Sequence, residues 1–124
     1  MPFISRLGLA VSLVEDGLAV ARLPFTPANA DADGAAHEGA LAALVDTSGA
    51  LASWSLVGPE LRAKASTVGI HVTYHAPALG EEVLAEARVL TRRNEIFLSR
   101  VTVTGAASGH LVAAGTVTYR IVVP

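Results

Sequence analysis

Two hydrophobic periodicities divide the chain. Apolar residues recur at Leu41, Leu44, Val45, Leu51, Ala52 and Leu56, the spacing of one helical face. Small residues at Ala42, Ala43, Ala50 and Ser53 cover much of the remaining surface, so the stretch from Gly34 to Val57 is the only long helical pattern. A helix that is apolar or small on nearly every side belongs inside something. From Thr67 the period becomes two. Val68, Ile70, Val72 and Tyr74 alternate with Gly69, His71, Thr73 and His75, which predicts a strand with one buried face. Extended segments are also predicted over residues 11–14, 18–23, 83–91, 96–104 and 111–123, and Phe3, Ile4, Leu7 and Leu9 predict a short N-terminal turn packed on the body.

Turn residues punctuate these segments. Glu15-Asp16-Gly17 separates the first two, Pro24 and Pro27 open a loop that runs to Ala36, and Gly58-Pro59 stops the helix. Residues 60–66 form a polar connection carrying Arg62 and Lys64. Later turns fall at Pro77–Gly80, Arg92-Arg93-Asn94 and Gly105–Gly109, and such short links imply antiparallel neighbours. The expected plan is α+β: a single domain over residues 1–124, with one long central helix wrapped by a curved antiparallel sheet of about five strands.

Composition narrows the function. With 52% hydrophobic and 16% charged residues in 124, some apolar surface is expected to be covered by another copy of the chain. A net charge of −2 without a basic cluster excludes an electrostatic nucleic-acid surface. The chain has no cysteine, hence no disulfide or thiolate chemistry. The first residues lack a leader-like pattern and no run of 18 apolar residues occurs, so no membrane association and a cytoplasmic location are expected. His71 and His75 share a strand face but stand about 13 Å apart, too far to bind one metal together. No phosphate loop, dinucleotide fingerprint or nucleophile elbow is present. Arg62, Lys64, Arg92 and Arg93 read as surface charges, and Trp54 as a core or interface anchor.

One residue stands out against this background. Asp46 lies within the helix on a side lined by small residues, where a carboxylate has no simple reason to be. His37-Glu38-Gly39 at the helix start, followed by Leu44-Val45-Asp46-Thr47, resembles the His-Gly-Gly…Leu-x-Asp segment of hotdog-fold acyl-CoA thioesterases of the PaaI-like branch, which acts in phenylacetate degradation. The resemblance extends to Leu7-Gly8-Leu9, Pro24-x-x-Pro27 and His71-Val72-Thr73-Tyr74-x-x-Pro77, and covers essentially the whole chain.

The resemblance implies a hotdog fold and hydrolysis of a small, medium-chain or aromatic acyl thioester, with coenzyme A as part of the substrate and no other cofactor or metal. It assigns Asp46 as general base or nucleophile and the Glu38 backbone N–H as oxyanion donor, with Asp31, His37, Gly39 and Thr47 as substrate-binding neighbours. His37 is read as a residue that starts the helix, not as a proton shuttle. Two positions depart from the family pattern: Glu38 replaces the first glycine of His-Gly-Gly, and Asp31 stands where Asn or Gln is common. A non-catalytic acyl-CoA-binding or structural hotdog domain is the alternative those departures leave open; a hydratase of the same fold ranks behind it, for want of an Asp-His pair at that family's spacing.

Helix geometry adds a point of its own. Glu38 and Asp46 are eight residues apart, about 12 Å along the axis. A reacting carbonyl needs donor and base within a few ångströms of it. Two antiparallel helices across a twofold axis can bring Glu38 of one copy to Asp46 of the other, so a dimer, alone or paired into a tetramer, is the expected active unit.

Overall fold

The computed structural model describes residues 2–59 and 62–124. Its elements are α1 (Pro2–Leu7), β1 (Ala10–Glu15), β2 (Leu18–Leu23), a 3-10 turn (Pro27–Asn29), α2 (Glu38–Trp54), β3 (Lys64–Tyr74), β4 (Val83–Arg93), β5 (Ile96–Gly105) and β6 (Leu111–Val122). The six strands form one antiparallel sheet in the order β1-β2-β4-β5-β6-β3. The expected sheet of about five strands therefore gains one. Asp16 and Gly17, both with positive φ (48° and 81°), make the tight turn that lets residues 10–15 pair with β2.

β2 and β3 are separated in space by three other strands, and the chain between them carries α2 across the sheet. Ala40, Leu41, Leu44, Val45, Ser48, Gly49, Ala52 and Ser53 form its buried face, packed against β2, β4, β5 and β6. At Gly49 an added Cβ would lie 2.6 Å from the Val117 Cβ, so the helix backbone approaches β6 as closely as glycine allows. The core around it joins Leu23, Leu44, Val45, Val83, Val101, Val103, Val112 and Val117, each at most 1% exposed. Each such Leu or Val contributes about 1.5–3 kcal/mol by leaving water.

The two helices follow expectation in part. The N-terminal turn is a short helix, α1, which has no fully buried residue but packs on the core through Leu7, with Leu9 following it. α2 begins at Glu38, where the loop to Ala36 and the His37-Glu38-Gly39 start put it, and Ala35 and Ala36 before it are held in extended bridges to Leu79 and Ala30. It is not, however, enclosed on all sides: Ala42, Ala43, Asp46, Thr47, Ala50 and Trp54 form a half-open stripe opposite the buried face. The polar connection of residues 60–66 starts with Glu60 and Leu61, which lie outside the described residues, and Lys64–Ser66 already belong to β3.

β3 departs most from the simple alternation. Its register runs Thr67 to Tyr119 and then Gly69 to Thr118, leaving Val68 as an extra, bulged residue that is 59% exposed. Ile70 and Tyr74 are also exposed, since β3 is an edge strand and the described residues leave part of its inner face open. Among the described residues no helix is long and apolar enough to cross a membrane.

Candidate active site

The α2 N-terminus is built by its own sequence. His37, extended at φ −62° and ψ 138°, is the N-cap, and its Nδ1 accepts a 2.8 Å hydrogen bond from the Gly39 N–H. The neutral ring then carries its proton on Nε2. Two residues on, a Cβ at Gly39 would lie 3.1 Å from that Nδ1, so any other residue there would force the ring to yield. The Leu41 N–H bonds back to the His37 carbonyl, and the Glu38 N–H has no hydrogen-bond partner among the described residues. An unpaired N–H at the positive end of a helix dipole suits developing negative charge.

Tyr74 pins this end of the helix to β3, its hydroxyl donating a 2.9 Å bond to the Glu38 carbonyl oxygen. Burial, and secondarily the Glu38 carboxylate, push the Tyr74 phenol above its ordinary pKa, so it stays a donor at neutral pH. On the approaching loop, Asp31 Oδ1 accepts from the Asp33 and Ala35 N–H groups at 2.8 and 3.1 Å. One carboxylate oxygen of Asp31 thus shapes the loop. The residue also borders a cavity of about 250 Å³ with Glu38, Tyr74 and His75.

Asp46 lies two turns further along α2, on the half-open stripe. Thr67 Oγ1 donates a 2.7 Å hydrogen bond to its Oδ1, leaving the other oxygen for a reacting group. The β3 bulge makes this contact: Thr67 and Ile70 both face α2 although three residues apart, a parity that regular pleating forbids. Two cavities meet at Asp46 and Thr47. One, of about 450 Å³, runs past Ala43 and Gly39 to Ile70, Phe3 and Ile4. The other, of about 340 Å³, runs past Thr67, Ala50 and Leu51 to Trp54 and Tyr119, where the indole Nε1–H donates to the Tyr119 hydroxyl at 3.2 Å.

The fold therefore gathers His37, Glu38 and Gly39 at one end of α2, Asp46 and Thr47 in its middle, and Asp31 beside the first group. It does not bring the Glu38 N–H and Asp46 of one chain together, since the helix itself holds them about 12 Å apart. Sequence reasoning did not find Thr67, Tyr74 or Tyr119 as site residues. Their partners lie 21, 36 and 65 residues away, and no local pattern marks such pairs.

Comparison with known proteins follows this geometry. Residues 33–113 match the thioesterase superfamily. Human acyl-coenzyme A thioesterase 13 is 31% identical over 100 residues, 80% of this chain and 69% of that one. A mutant of the phenylacetic acid degradation protein PaaI from Thermus thermophilus superposes with a TM-score of 0.83 at 34% identity, covering 97% of this chain and 98% of that one. A conserved protein from Pseudomonas aeruginosa gives a TM-score of 0.88 at 27% identity over 98% and 94% of the two chains.

Proposed function

Because this chain belongs to the thioesterase superfamily, as a PaaI-like hotdog enzyme that hydrolyses thioesters, we propose that it is an acyl-CoA thioesterase working as a homodimer. Each of its two sites combines Asp46 of one copy with the Glu38 N–H of the other. The observation that carries this reading is the placement of an oriented carboxylate on an open stripe of small residues, two helical turns from an unpaired N–H on the same helix. The exposed inner face of edge strand β3 supports a second copy as what covers that stripe.

In this mechanism the thioester carbonyl lies against the Glu38 N–H. Asp46 takes a proton from water as the water oxygen attacks the carbonyl carbon. The oxyanion that forms is held by the main-chain donor, and collapse breaks the C–S bond, with the proton on Asp46 passing to the departing coenzyme A sulfur. A carboxylate base and a helix N-terminus supply the activation and the charge stabilisation, so no metal or redox cofactor takes part. The substitution at Glu38 leaves the donor in place, because the donor is main chain. Asp31, His37, Gly39 and Thr47 border the reacting group: His37 and Gly39 shape the helix start, and Thr47 flanks the base.

A thioester has two arms, and two cavities meet at Asp46. The 340 Å³ cavity ending at Trp54 and Tyr119 takes the acyl arm, of small, medium or aromatic size. The 450 Å³ groove beneath Phe3 and Ile4 takes the pantetheine arm.

Mixing two inactive variants tests the reading. Asp46→Asn removes the base. Glu38→Pro removes the N–H at a first helical position, where proline is tolerated and the extended His37 already suits a following proline. Each alone is expected to lose roughly 10²–10³ in kcat while staying folded and dimeric. Refolded together in equal amounts, they should regain about a quarter of wild-type activity, since only sites shared between unlike chains are whole. Full activity of either variant sinks its assignment, and a mixture that stays inactive sinks the shared site. No thiol release by wild type from any of a broad set of acyl-CoAs sinks the substrate class.

A further inference from the structure

The acyl cavity ends on a hydroxyl whose proton is uncommitted. Indole N–H is a donor only, so in the Trp54–Tyr119 bond the phenol oxygen must act as acceptor. Its own O–H is thereby directed away from Trp54, and it has no acceptor among the described residues. Tyr119 is half-buried, stands directly across from Thr67 in the β3–β6 ladder, and borders the same 340 Å³ cavity as Asp46. Trp54 lies eight residues beyond Asp46, about 12 Å along α2. Between the carboxylate and the phenol, Ala50, Leu51 and the indole form the apolar wall of the cavity, and Ser66 and Thr67 of β3 line its other side.

We propose that Tyr119 is a specificity-determining residue, whose hydroxyl donates a hydrogen bond to an oxygen at the end of the acyl group remote from the thioester. The favoured substrates are then acyl-CoAs of aryl or medium length that carry a terminal or para oxygen, over isosteres ending in a methyl group. The inference rests on the thioesterase reading and on the acyl arm occupying this cavity. Its physical basis is the asymmetry of polar recognition. A donor that satisfies a substrate oxygen gains a bond, whereas a methyl group there strips the phenol of water and returns nothing. Trp54 contributes by holding the phenol at its oxygen, so the donor direction is set before the ligand arrives.

Two isosteric pairs provide the test: para-hydroxyphenylacetyl-CoA against para-methylphenylacetyl-CoA, and ω-hydroxyheptanoyl-CoA against octanoyl-CoA. The wild type should show a kcat/KM ratio of about fivefold or more favouring the hydroxyl member of at least one pair. In Tyr119→Phe that ratio should fall to within about twofold, with the melting temperature checked alongside to show that the variant is folded. A ratio near one for both pairs in the wild type, or a preference that survives in Tyr119→Phe, overturns the proposal. If the wild type turns over none of the four, the thioesterase reading is what fails. The same ratio is then read from dissociation constants, where its presence in the wild type and loss in Tyr119→Phe still supports the role of Tyr119, and any other pattern overturns it.

Discussion

Thr67 on the edge strand β3 donates a 2.7 Å hydrogen bond to Asp46 in the middle of α2, joining two elements that are 21 residues apart in sequence. The bond uses one oxygen of the carboxylate and so selects which oxygen faces the two cavities. It also ties the base to the strand that presents the open edge of the sheet. Geometry at the base and pairing along β3 are therefore linked through one hydroxyl.

Removing that hydroxyl tests positioning without touching the base. Thr67→Val is expected to lower kcat by about tenfold or more, with KM changed by less than about threefold, because a misaligned carboxylate penalises the transition state more than the ground state. Thr67→Ser should restore most of the rate. Equal losses in Thr67→Val and Thr67→Ser would show that the methyl group, through packing, is what matters.

Gly49 sets how closely α2 lies on the sheet. A methyl group there would lie 2.6 Å from the Val117 Cβ and 2.7 Å from Cγ2, with Val117 itself fully buried and unable to retreat. Gly49→Ala gains helix propensity but overpacks the core, so a net destabilisation of about 1–3 kcal/mol is expected. Denaturant unfolding measures it, and a variant as stable as wild type would mean that α2 can shift outward without cost.

Glu81 holds the β5–β6 turn. Its Oε1 accepts from the Ala107 and Ser108 N–H groups, both at 3.0 Å. The Ser108 backbone and side-chain hydrogen bonds, with lesser help from Ala107 and from the charge of His110, hold the carboxyl below its usual pKa. A lowered folded-state pKa means that the unfolded chain binds the proton first as the solution is acidified. The stabilisation is thus fully present above the unfolded value near 4.5 and is lost as pH falls through the lower, folded value. Wild type should melt higher than Glu81→Gln at neutral pH, and the difference should shrink once pH drops below about 4.5. A difference that is constant across that window would show that shape, and not charge, holds the turn.

Much of the fold was legible because its signals are local. Period 3.6 marked α2 and period two marked β4, β5 and β6, and the Asp16-Gly17, Pro77–Gly80 and Gly105–Gly109 turns fell between strands. The position of Asp46, an acid among small residues, was equally plain. The alternation marked the face of β3 that Ile70, Val72 and Tyr74 turn toward α2 and the core, but it misplaced Val68, since a bulge shifts the face of the residues before it and leaves no mark in the hydrophobic pattern. The all-round smallness of α2 was read as burial on every side, whereas in one chain it produces a buried face and an open stripe.

By itself, then, the sequence determined the two periodicities, the capped start of α2 at His37 and the carboxylate eight residues beyond Glu38, because each depends on residues within a few turns of one another. Only the tertiary structure decided what those groups meet. The bulge in β3 turns Thr67 toward Asp46, the crossing of α2 over the sheet brings Tyr74 to the Glu38 carbonyl, and the β6 register sets Tyr119 against Trp54. Those pairings depend on strand order and register, which come from packing the whole chain, and no short window of sequence contains them.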